Sequence, residues 1–232
     1  MERLYNGFTL ELSKGAFPLS TDSIALSGFV RLPKQAKVLD LGAGCGTLGL
    51  YLCAKDSACT VTGVEIDKNA HQMALRNIDA NGLNSRLSSI CADLRTVPSF
   101  ITAGSFHCCV SNPPYFSAEQ ESANGIARHE QLCNLEDLFS AAQWVVKFGG
   151  DFFLVHKPER LAELCACATK HALEPKRLLL LRHRPSDPIA LVLLQCRKGA
   201  KPGLIIEEEA LQDEAGNPSE YYRMLYHMQE DT

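Results

Sequence analysis

Short apolar runs alternate with longer amphipathic stretches along most of this chain. Apolar runs of about five residues bounded by turn residues predict buried strands, and apolar positions three or four residues apart predict helices. The predicted strands cover 37–41, 59–65, 87–92, 106–111 and 152–156. The predicted helices cover 24–30, 47–55, 68–81, 135–146 and 161–168, and Gly149 and Gly150 are expected to end the fourth of them. Because strands and helices alternate, the pattern indicates a mostly parallel sheet with helices on both faces.

Two apolar runs near the C-terminus, 178–181 and 190–194, flank a polar turn that contains two prolines. The pair predicts an antiparallel hairpin. The expected fold is therefore α/β, with a seven-stranded, mostly parallel sheet and a C-terminal antiparallel hairpin. We expect one domain over residues 1–232, with an N-terminal extension (1–36) and a C-terminal tail (202–232).

The composition, 46% hydrophobic and 22% charged residues, is typical of a globular protein. No run approaches the roughly 18 apolar residues of a membrane span, and the first residues lack a secretion-signal pattern. We therefore expect a cytoplasmic protein with no membrane association. In that compartment the ten cysteines should be thiols. Since none of them forms a C-x-x-C pair, we expect no metal site.

Charge is distributed unevenly along the C-terminal third of the chain. The formal net charge of the whole chain is −4, yet residues 170–201 hold eight Lys or Arg against two acids. Beyond them, eight acids accompany a single base. A basic segment of this kind is typical of a nucleic-acid surface, and equally of a solvated surface with mixed charges. On the first interpretation we expect Arg182 and Arg184 on the hairpin turn to contact phosphates. The alternative is that these arginines pair with the acids at 207–209 on the protein's own surface.

The strand at 37–41 runs into a turn with glycine at every second position, Gly42, Gly44 and Gly46. Glycine lets the backbone approach a ligand where a Cβ atom would clash. The range Gly44–Gly49 also matches the dinucleotide fingerprint, and Glu65 follows at the spacing of a ribose-binding acid. In a dinucleotide fold, however, the first glycine of the fingerprint follows the strand directly. Here that glycine is Gly42, and the sixth position counted from it is Thr47 instead of the glycine that the fingerprint requires. The register therefore favours S-adenosylmethionine (SAM) over NAD.

Acidic side chains follow the other predicted strands at positions that suit SAM. Glu65 ends the second strand, where a carboxylate can accept hydrogen bonds from the ribose hydroxyls. Asp93 ends the third strand and is expected to accept from the adenine amine, with a turn aspartate as the alternative. Asp40, Thr21 and Asp22 are candidates for the ammonium side of the cofactor, although Thr21 and Asp22 fit a helix cap equally well.

The fourth strand ends in Asn112, Pro113, Pro114, Tyr115 and Phe116. The prolines stop the sheet ladder and leave Asn112 at the carboxyl edge, where open α/β sheets bind ligands. The Asn112 side-chain carbonyl and the Pro113 backbone carbonyl can accept from both N–H groups of a planar amine, which aims its lone pair at a methyl donor. Tyr115 or Phe116 offers a ring on which a base can stack. A structural turn is the alternative reading.

Segments along nearly the whole chain resemble the bacterial tRNA(Val) adenine methyltransferases: 21–23, 42–46, 63–67, 76–78, 81–83, 93–94, 112–116, 127–130 and 221–226. The resemblance implies a class I SAM-methyltransferase (Rossmann-like) fold, SAM as cofactor and tRNA as partner. It implies methylation of the 6-amino group of the adenine beside the anticodon, with 112–115 as the catalytic motif. It also implies that Ile66 contacts the cofactor and that Arg128 contacts the substrate.

Other functions remain open at this point. The Asn-Pro-Pro-Tyr motif is shared with DNA adenine methyltransferases and with enzymes that methylate a glutamine side-chain amide. One alternative is therefore a methyltransferase acting on a protein glutamine amide or another nucleobase amine. A second alternative is a SAM- or RNA-binding module without turnover, against which the intact Asn112 and Tyr115 argue.

Overall fold

The computed structural model describes residues 2–4, 7–12, 21–113 and 134–226. The strands in these ranges are β1 (Glu2–Arg3), β2 (Thr9–Leu10), β3 (Lys37–Leu41), β4 (Thr60–Glu65), β5 (Leu87–Cys91), β6 (Phe106–Ser111), β7 (Val146–His156), β8 (Leu173–Arg182), β9 (Ile189–Lys198) and β10 (Ile205–Ala210). The α-helices are α1 (Thr21–Phe29), α2 (Thr47–Lys55), α3 (Lys68–Ala80), α4 (Leu135–Val145), α5 (Leu161–Lys170) and α6 (Glu220–Leu225). Short 3-10 helices lie at Leu94–Ser99 and Pro158–Arg160.

Eight of the described strands form one sheet in the order β10-β8-β9-β7-β6-β3-β4-β5, and β1 and β2 form a separate antiparallel ladder. All neighbours in the large sheet are parallel except β9, which is antiparallel to both β7 and β8. The predicted α/β class and the antiparallel hairpin are thus confirmed. The order in which strands are added to the sheet reverses at β3, because β4 lies on one side of it and β6 on the other. A crevice opens beyond the carboxyl ends of strands at such a point, and open α/β sheets bind ligands there.

The strand count differs from the prediction because β10 lies in the stretch that was expected to be a tail. Residues Ile205–Ala210 pair with Arg177–Arg182 of β8. The consecutive acids Glu207–Glu209 hide the alternation that would have predicted this strand. Charged side chains are tolerated there because β10 is an edge strand, where they also discourage pairing with another chain.

Strand β7 also begins earlier than predicted, at Val146, and α4 ends at Val145. The two glycines that were expected to end the helix lie inside the strand instead. A Cβ atom on Gly150 would approach the His107 carbonyl oxygen to 2.5 Å. Glycine is therefore required at this position by the close approach of β6 rather than by a helix end.

The core has two layers, one on each face of the sheet, because successive side chains of a strand point to opposite faces. Val38, Val110 and Phe153 pack against α1 and α2 on one face. Leu39, Cys109 and Phe152, the residues next to them in sequence, pack against α4 and α5 on the other face. Helices α1 and α2 therefore share one face of the sheet, and α4 and α5 share the other.

No helix in the described ranges is long and apolar enough to cross a membrane. The nine cysteines in these ranges are free thiols. No group of histidine, cysteine or acidic side chains among the described residues is arranged to hold a metal ion.

Candidate active site

The glycine turn after β3, residues 42–46, adopts backbone angles that favour glycine. The φ angles of Gly42, Gly44 and Gly46 are 75°, 55° and 84°. A Cβ atom placed on Gly42 or Gly44 would meet no described atom within 4 Å, so both residues border open space. The backbone N–H groups of Gly42 and Ala43 both donate to the Val64 carbonyl, at 2.9 and 3.1 Å. The turn is thus held from the β4 side, and a ligand can approach its open face closely.

Glu65, at the end of β4, stabilises this turn through one carboxylate oxygen and the start of α3 through the other. Its Oε2 accepts from the Gly44 backbone N–H at 2.7 Å, and its Oε1 accepts from the Asp67 N–H at 2.8 Å. Each carboxylate oxygen has a second lone pair, so these bonds leave acceptor capacity for a ligand hydroxyl. Ile66 follows with 43% of its surface exposed, which suits contact with a planar ligand. The bond to Gly44 was not foreseen from the sequence.

Asp40 is a buried acid directly behind the turn, with 2% of its surface exposed. Its Oδ2 has no hydrogen-bond partner among the described residues. Burial, and then the nearby charge of Glu65, raise the pKa of Asp40 from 3.8 to about 7. A buried, unsatisfied carboxylate is costly, and a cationic ligand group at this position would remove that cost.

Asp93 lies after β5 at the same edge of the sheet and is already engaged. Its Oδ1 accepts from the Arg95 backbone N–H at 2.9 Å, which caps the following 3-10 helix. Its carboxylate also pairs with the Arg95 side chain, and that hydrogen bond lowers the pKa of Asp93. The structure therefore gives Asp93 the turn and capping role that was the alternative in the sequence, and the adenine contact stays a prediction.

Asn112 lies at the end of β6, next to β3. The Ser111 hydroxyl donates to the Leu41 carbonyl at 2.7 Å, which ties the end of β6 to the start of the glycine turn. The Asn112 side-chain nitrogen donates to Ser23 Oγ at 2.9 Å. In this bond the amide nitrogen faces Ser23, so the side-chain carbonyl oxygen lies on the other side of the amide group. Pro113 follows and is partly buried.

Ser23 contacts the candidate residue Asn112, although the sequence assigned it no site role and only placed it in the resembling segment 21–23. It lies in the first turn of α1, is 6% exposed, and directly follows the predicted pair Thr21 and Asp22. The bond to Asn112 joins positions 89 residues apart in sequence. The adjacency to Thr21 and Asp22 was the available signal, but a small hydroxyl near a helix start is most simply read as part of a cap.

Thr21 and Asp22 open α1 on the same side as Ser23. They line a surface cleft together with Lys157, Arg182 and His183. The Thr21 side chain lies close to the Tyr226 hydroxyl, beyond the end of α6. The C-terminal stretch thus reaches the edge of the sheet that carries the candidate site.

Of the two arginines of the hairpin turn, Arg182 has partners for its side chain within the protein, and Arg184 is held through its backbone. The Arg182 guanidinium donates to the Asp187 carbonyl at 2.8 Å and pairs with Glu208 of β10 at 3.4 Å. The Arg184 backbone N–H donates to the Asp187 carboxylate at 3.1 Å. The pairing of Arg182 with Glu208 is the alternative to phosphate contact that the sequence offered. Arg182 also lines the cleft, so a phosphate can still reach its side chain.

Four predicted site residues lie outside the described residues: Pro114, Tyr115, Phe116 and Arg128. The described part of the predicted site, from the glycine turn to Pro113, comes together at the carboxyl edge of β3, β4, β5 and β6.

The family model of the methyltransferase small domain matches residues 23–164 of this chain. The match begins in α1, includes the glycine turn and Asn112, and ends in α5.

Two of the similar curated proteins are named tRNA1(Val) (adenine(37)-N6)-methyltransferase. The one from Tolumonas auensis is 32% identical over 213 residues, which cover 89% of this chain and 86% of the relative. The one from Pseudoalteromonas translucida is 28% identical over 224 residues, which cover 95% and 94% respectively. Among solved structures, a predicted O-methyltransferase from Agrobacterium tumefaciens has a TM-score of 0.75 at 21% identity, over 89% of this chain and 96% of that chain. This last likeness is one of fold.

Proposed function

The chain belongs to the methyltransferase small domain family, and from that premise we propose that it is a SAM-dependent methyltransferase acting on the 6-amino group of an adenine in tRNA. The observation that carries the proposal is the Asn112 amide, bound by Ser23 at the sheet edge beside the glycine turn. The name shared by the two curated relatives supports adenine 37 of tRNA1(Val), next to the anticodon, as the target base.

The residues around the glycine turn fit SAM as the cofactor. The unsatisfied Asp40 oxygen suits an ammonium group, and Gly42 and Gly44 border space that a ligand can occupy. When bound, SAM supplies an electrophilic methyl group on a positively charged sulfur. The proposed contacts are Asp40, Gly42, Gly44, Gly46, Glu65, Ile66, Asp93, Thr21 and Asp22.

Asn112 and Pro113 orient the acceptor amine. The Asn112 side-chain carbonyl and the Pro113 backbone carbonyl each accept a hydrogen bond from one N–H of the adenine amine. Because both N–H groups are held, the nitrogen lone pair is aimed away from the two acceptors and toward the methyl donor. Ser23 contributes by holding the Asn112 amide in the orientation that presents oxygen rather than nitrogen to the substrate. No strong base is needed for this attack, because the amine becomes cationic once it carries the new methyl group and then readily loses one N–H proton to solvent.

Aromatic stacking holds the target base in our proposal. Tyr115 and Phe116 follow Pro114 directly, so their rings can lie on the faces of a base whose amine reaches Asn112. A base within a helical stack cannot present its amine in this way, so the adenine must be unpaired or flipped out. An anticodon-loop adenine meets this requirement.

Phosphate contacts are proposed for Arg128, Arg182 and Arg184. Arg182 lines the cleft that also contains Lys157, which directly follows β7 at the same edge as Asn112. A tRNA with its target base at Asn112 can therefore extend its backbone along this basic side of the molecule.

Methyl transfer to defined RNA and peptide substrates tests the proposed function. Labelled SAM is incubated with an unmodified tRNA1(Val) transcript, with the same transcript carrying guanine at position 37, and with a glutamine-containing peptide. We expect label in the first transcript and only background in the other two. Label in the peptide alone would replace the RNA proposal with glutamine methylation, and SAM binding with no transfer to any substrate would support a binding module.

A further inference from the structure

The N-terminal strand β2 is held by two asparagine side chains of α3 rather than by a neighbouring strand on that side. The Asn81 amide pairs with Thr9, its Oδ1 accepting from the backbone N–H at 2.7 Å and its Nδ2 donating to the carbonyl at 2.7 Å. The Asn77 amide pairs with Glu11 in the same way, at 2.8 and 2.9 Å. Each side chain thus satisfies the two backbone groups that a strand would satisfy.

The spacing of the two asparagines matches the strand. Residues four apart on a helix are separated by about 6 Å along its axis, and residues two apart on a strand by about 6.6 Å. Asn77 and Asn81 on the helix can therefore pair with Thr9 and Glu11 on the strand at the same time. The ladder of β1 and β2 pairs two residues on each strand, so it depends on such support.

Asn77 makes one contact that Asn81 does not. Its second Nδ2 hydrogen donates at 3.0 Å to the carbonyl of Cys45, which lies in the glycine turn between Gly44 and Gly46. Asn77 is 2% exposed, so this bond is shielded from water. One amide group therefore connects the N-terminal strand to the turn that forms the proposed cofactor site.

We propose that Asn77 is a positioning residue that couples docking of the N-terminal strand to cofactor binding at the glycine turn. The inference rests on the proposed function only in naming SAM as the ligand of that turn. Asn77 holds the Cys45 carbonyl away from the ligand side, and it can do so fully when its remaining hydrogen-bonding atoms are occupied by Glu11. Strand docking then favours the ligand-binding shape of the turn, and by reciprocity the ligand favours strand docking.

The pair Asn77 and Asn81 provides a matched control, because both hold β2 and Asn77 alone of the two contacts the turn. Asn77→Ala, Asn81→Ala and the exposed Asn84→Ala are compared in thermal midpoint, in SAM dissociation constant by calorimetry and in hydrogen exchange of residues 9–11. We expect Asn77→Ala and Asn81→Ala to lower the midpoint and to speed exchange. Asn77→Ala should also weaken SAM binding about tenfold, and Asn81→Ala less than threefold.

Equal SAM affinity in Asn77→Ala and the parent protein would overturn the proposal, since a merely structural role moves only the midpoint and the exchange rate. Equal weakening of SAM binding in Asn77→Ala and Asn81→Ala would contradict a specific role for the hydrogen bond between Asn77 and the Cys45 carbonyl. Should Asn77→Ala fail to fold, the parent protein still decides: S-adenosylhomocysteine must slow exchange at Thr9 and Glu11, and unchanged exchange contradicts the coupling. A parent protein that binds no SAM would instead refute the proposed function.

Discussion

At the scale of single residues, substitutions at Asn112 and Ser23 should affect the orientation of the acceptor amine without affecting the binding of SAM. Asn112→Ala should abolish methyl transfer while leaving SAM affinity nearly unchanged, because Asn112 is proposed to contact the 6-amino group of the target adenine and not the cofactor. Ser23→Ala should lower kcat about fivefold, since the hydrogen bond that holds the Asn112 amide, worth about 1 kcal/mol, is lost. Single-turnover rates and SAM calorimetry measure the two effects separately.

Ser27→Ala is the control for Ser23, because Ser27 lies one turn further along α1 and its hydroxyl donates to the Ile24 carbonyl of the same helix. We expect Ser27→Ala to retain the parent rate. Loss of SAM affinity in Asn112→Ala with turnover preserved would contradict the assignment of Asn112, and an unchanged rate in Ser23→Ala would remove Ser23 from the mechanism.

A second prediction at this scale concerns Asp40, whose pKa is raised to about 7 in the folded protein against 3.8 ordinarily. Between these values the folded state binds more protons than the unfolded state, so Asp40 lowers stability progressively as pH rises from about 4 to 7. Asp40→Asn should therefore raise the free energy of unfolding at pH 8, by up to a few kcal/mol, and change it little at pH 4.

The same substitution should weaken SAM binding at pH 8, where the parent carboxylate is charged and can attract the ammonium group. At pH 5.5 the neutral parent side chain and asparagine should bind SAM with similar affinity. Denaturant unfolding and calorimetry at the two pH values check these expectations. An Asp40→Asn protein that is less stable than the parent at pH 8 would show that the carboxylate is paired in solution.

At the scale of secondary-structure elements, the sequence predicted which candidate side chains lie at strand ends. Glycines after β3, an acid after β4 and Asn112 after β6 all follow apolar runs, and parallel strands bring their carboxyl ends to one edge. Strand β10 was missed because three consecutive acids conceal its pattern. The start of β7 was misplaced because Gly150 is required by packing against the His107 carbonyl, and sequence alone does not distinguish that from a helix end.

The contacts that join distant elements could not be predicted in the same way. Ser23 meets Asn112 across 89 residues, and Asn81 meets Thr9 across 72. Serine and asparagine are common in turns and caps, so their presence in a sequence does not point to a distant partner. Their pairing becomes visible when α1 and α3 are placed against the sheet, because only then are the partners within hydrogen-bonding distance.

At the scale of the whole molecule, β10 brings part of the acidic C-terminal stretch onto the basic hairpin. Arg177 pairs with Glu207 at 2.9 Å and lies 4.3 Å from the Phe29 ring centroid, so it serves the protein's own packing. The pair of Arg182 with Glu208 is different, because Glu208 is 60% exposed and the distance is 3.4 Å. An exposed pair of this kind contributes about 0–1 kcal/mol, so a phosphate can replace the carboxylate.

This difference leads to a prediction about the RNA-binding surface. Replacing Arg182 and Arg184 with glutamine should weaken binding of tRNA and of unrelated RNA alike, because phosphate contacts carry no sequence information. The dependence of log Kd on log salt should become shallower by about one to two, and SAM affinity should not change. RNA titrations at three or more salt concentrations measure both quantities.

The matched control removes two positive charges from the opposite end of the sheet. Arg197→Gln with Lys201→Gln changes the net charge equally, but Arg197 pairs with Asp151 near the amino ends of the parallel strands. If the location of the charge matters, this control keeps the RNA affinity and salt slope of the parent. Glu208→Gln should strengthen RNA binding, because it releases Arg182 and removes a nearby negative charge. Parent-like affinity and salt slope in the Arg182 and Arg184 variant, together with reduced stability, would assign both arginines to the protein's own surface.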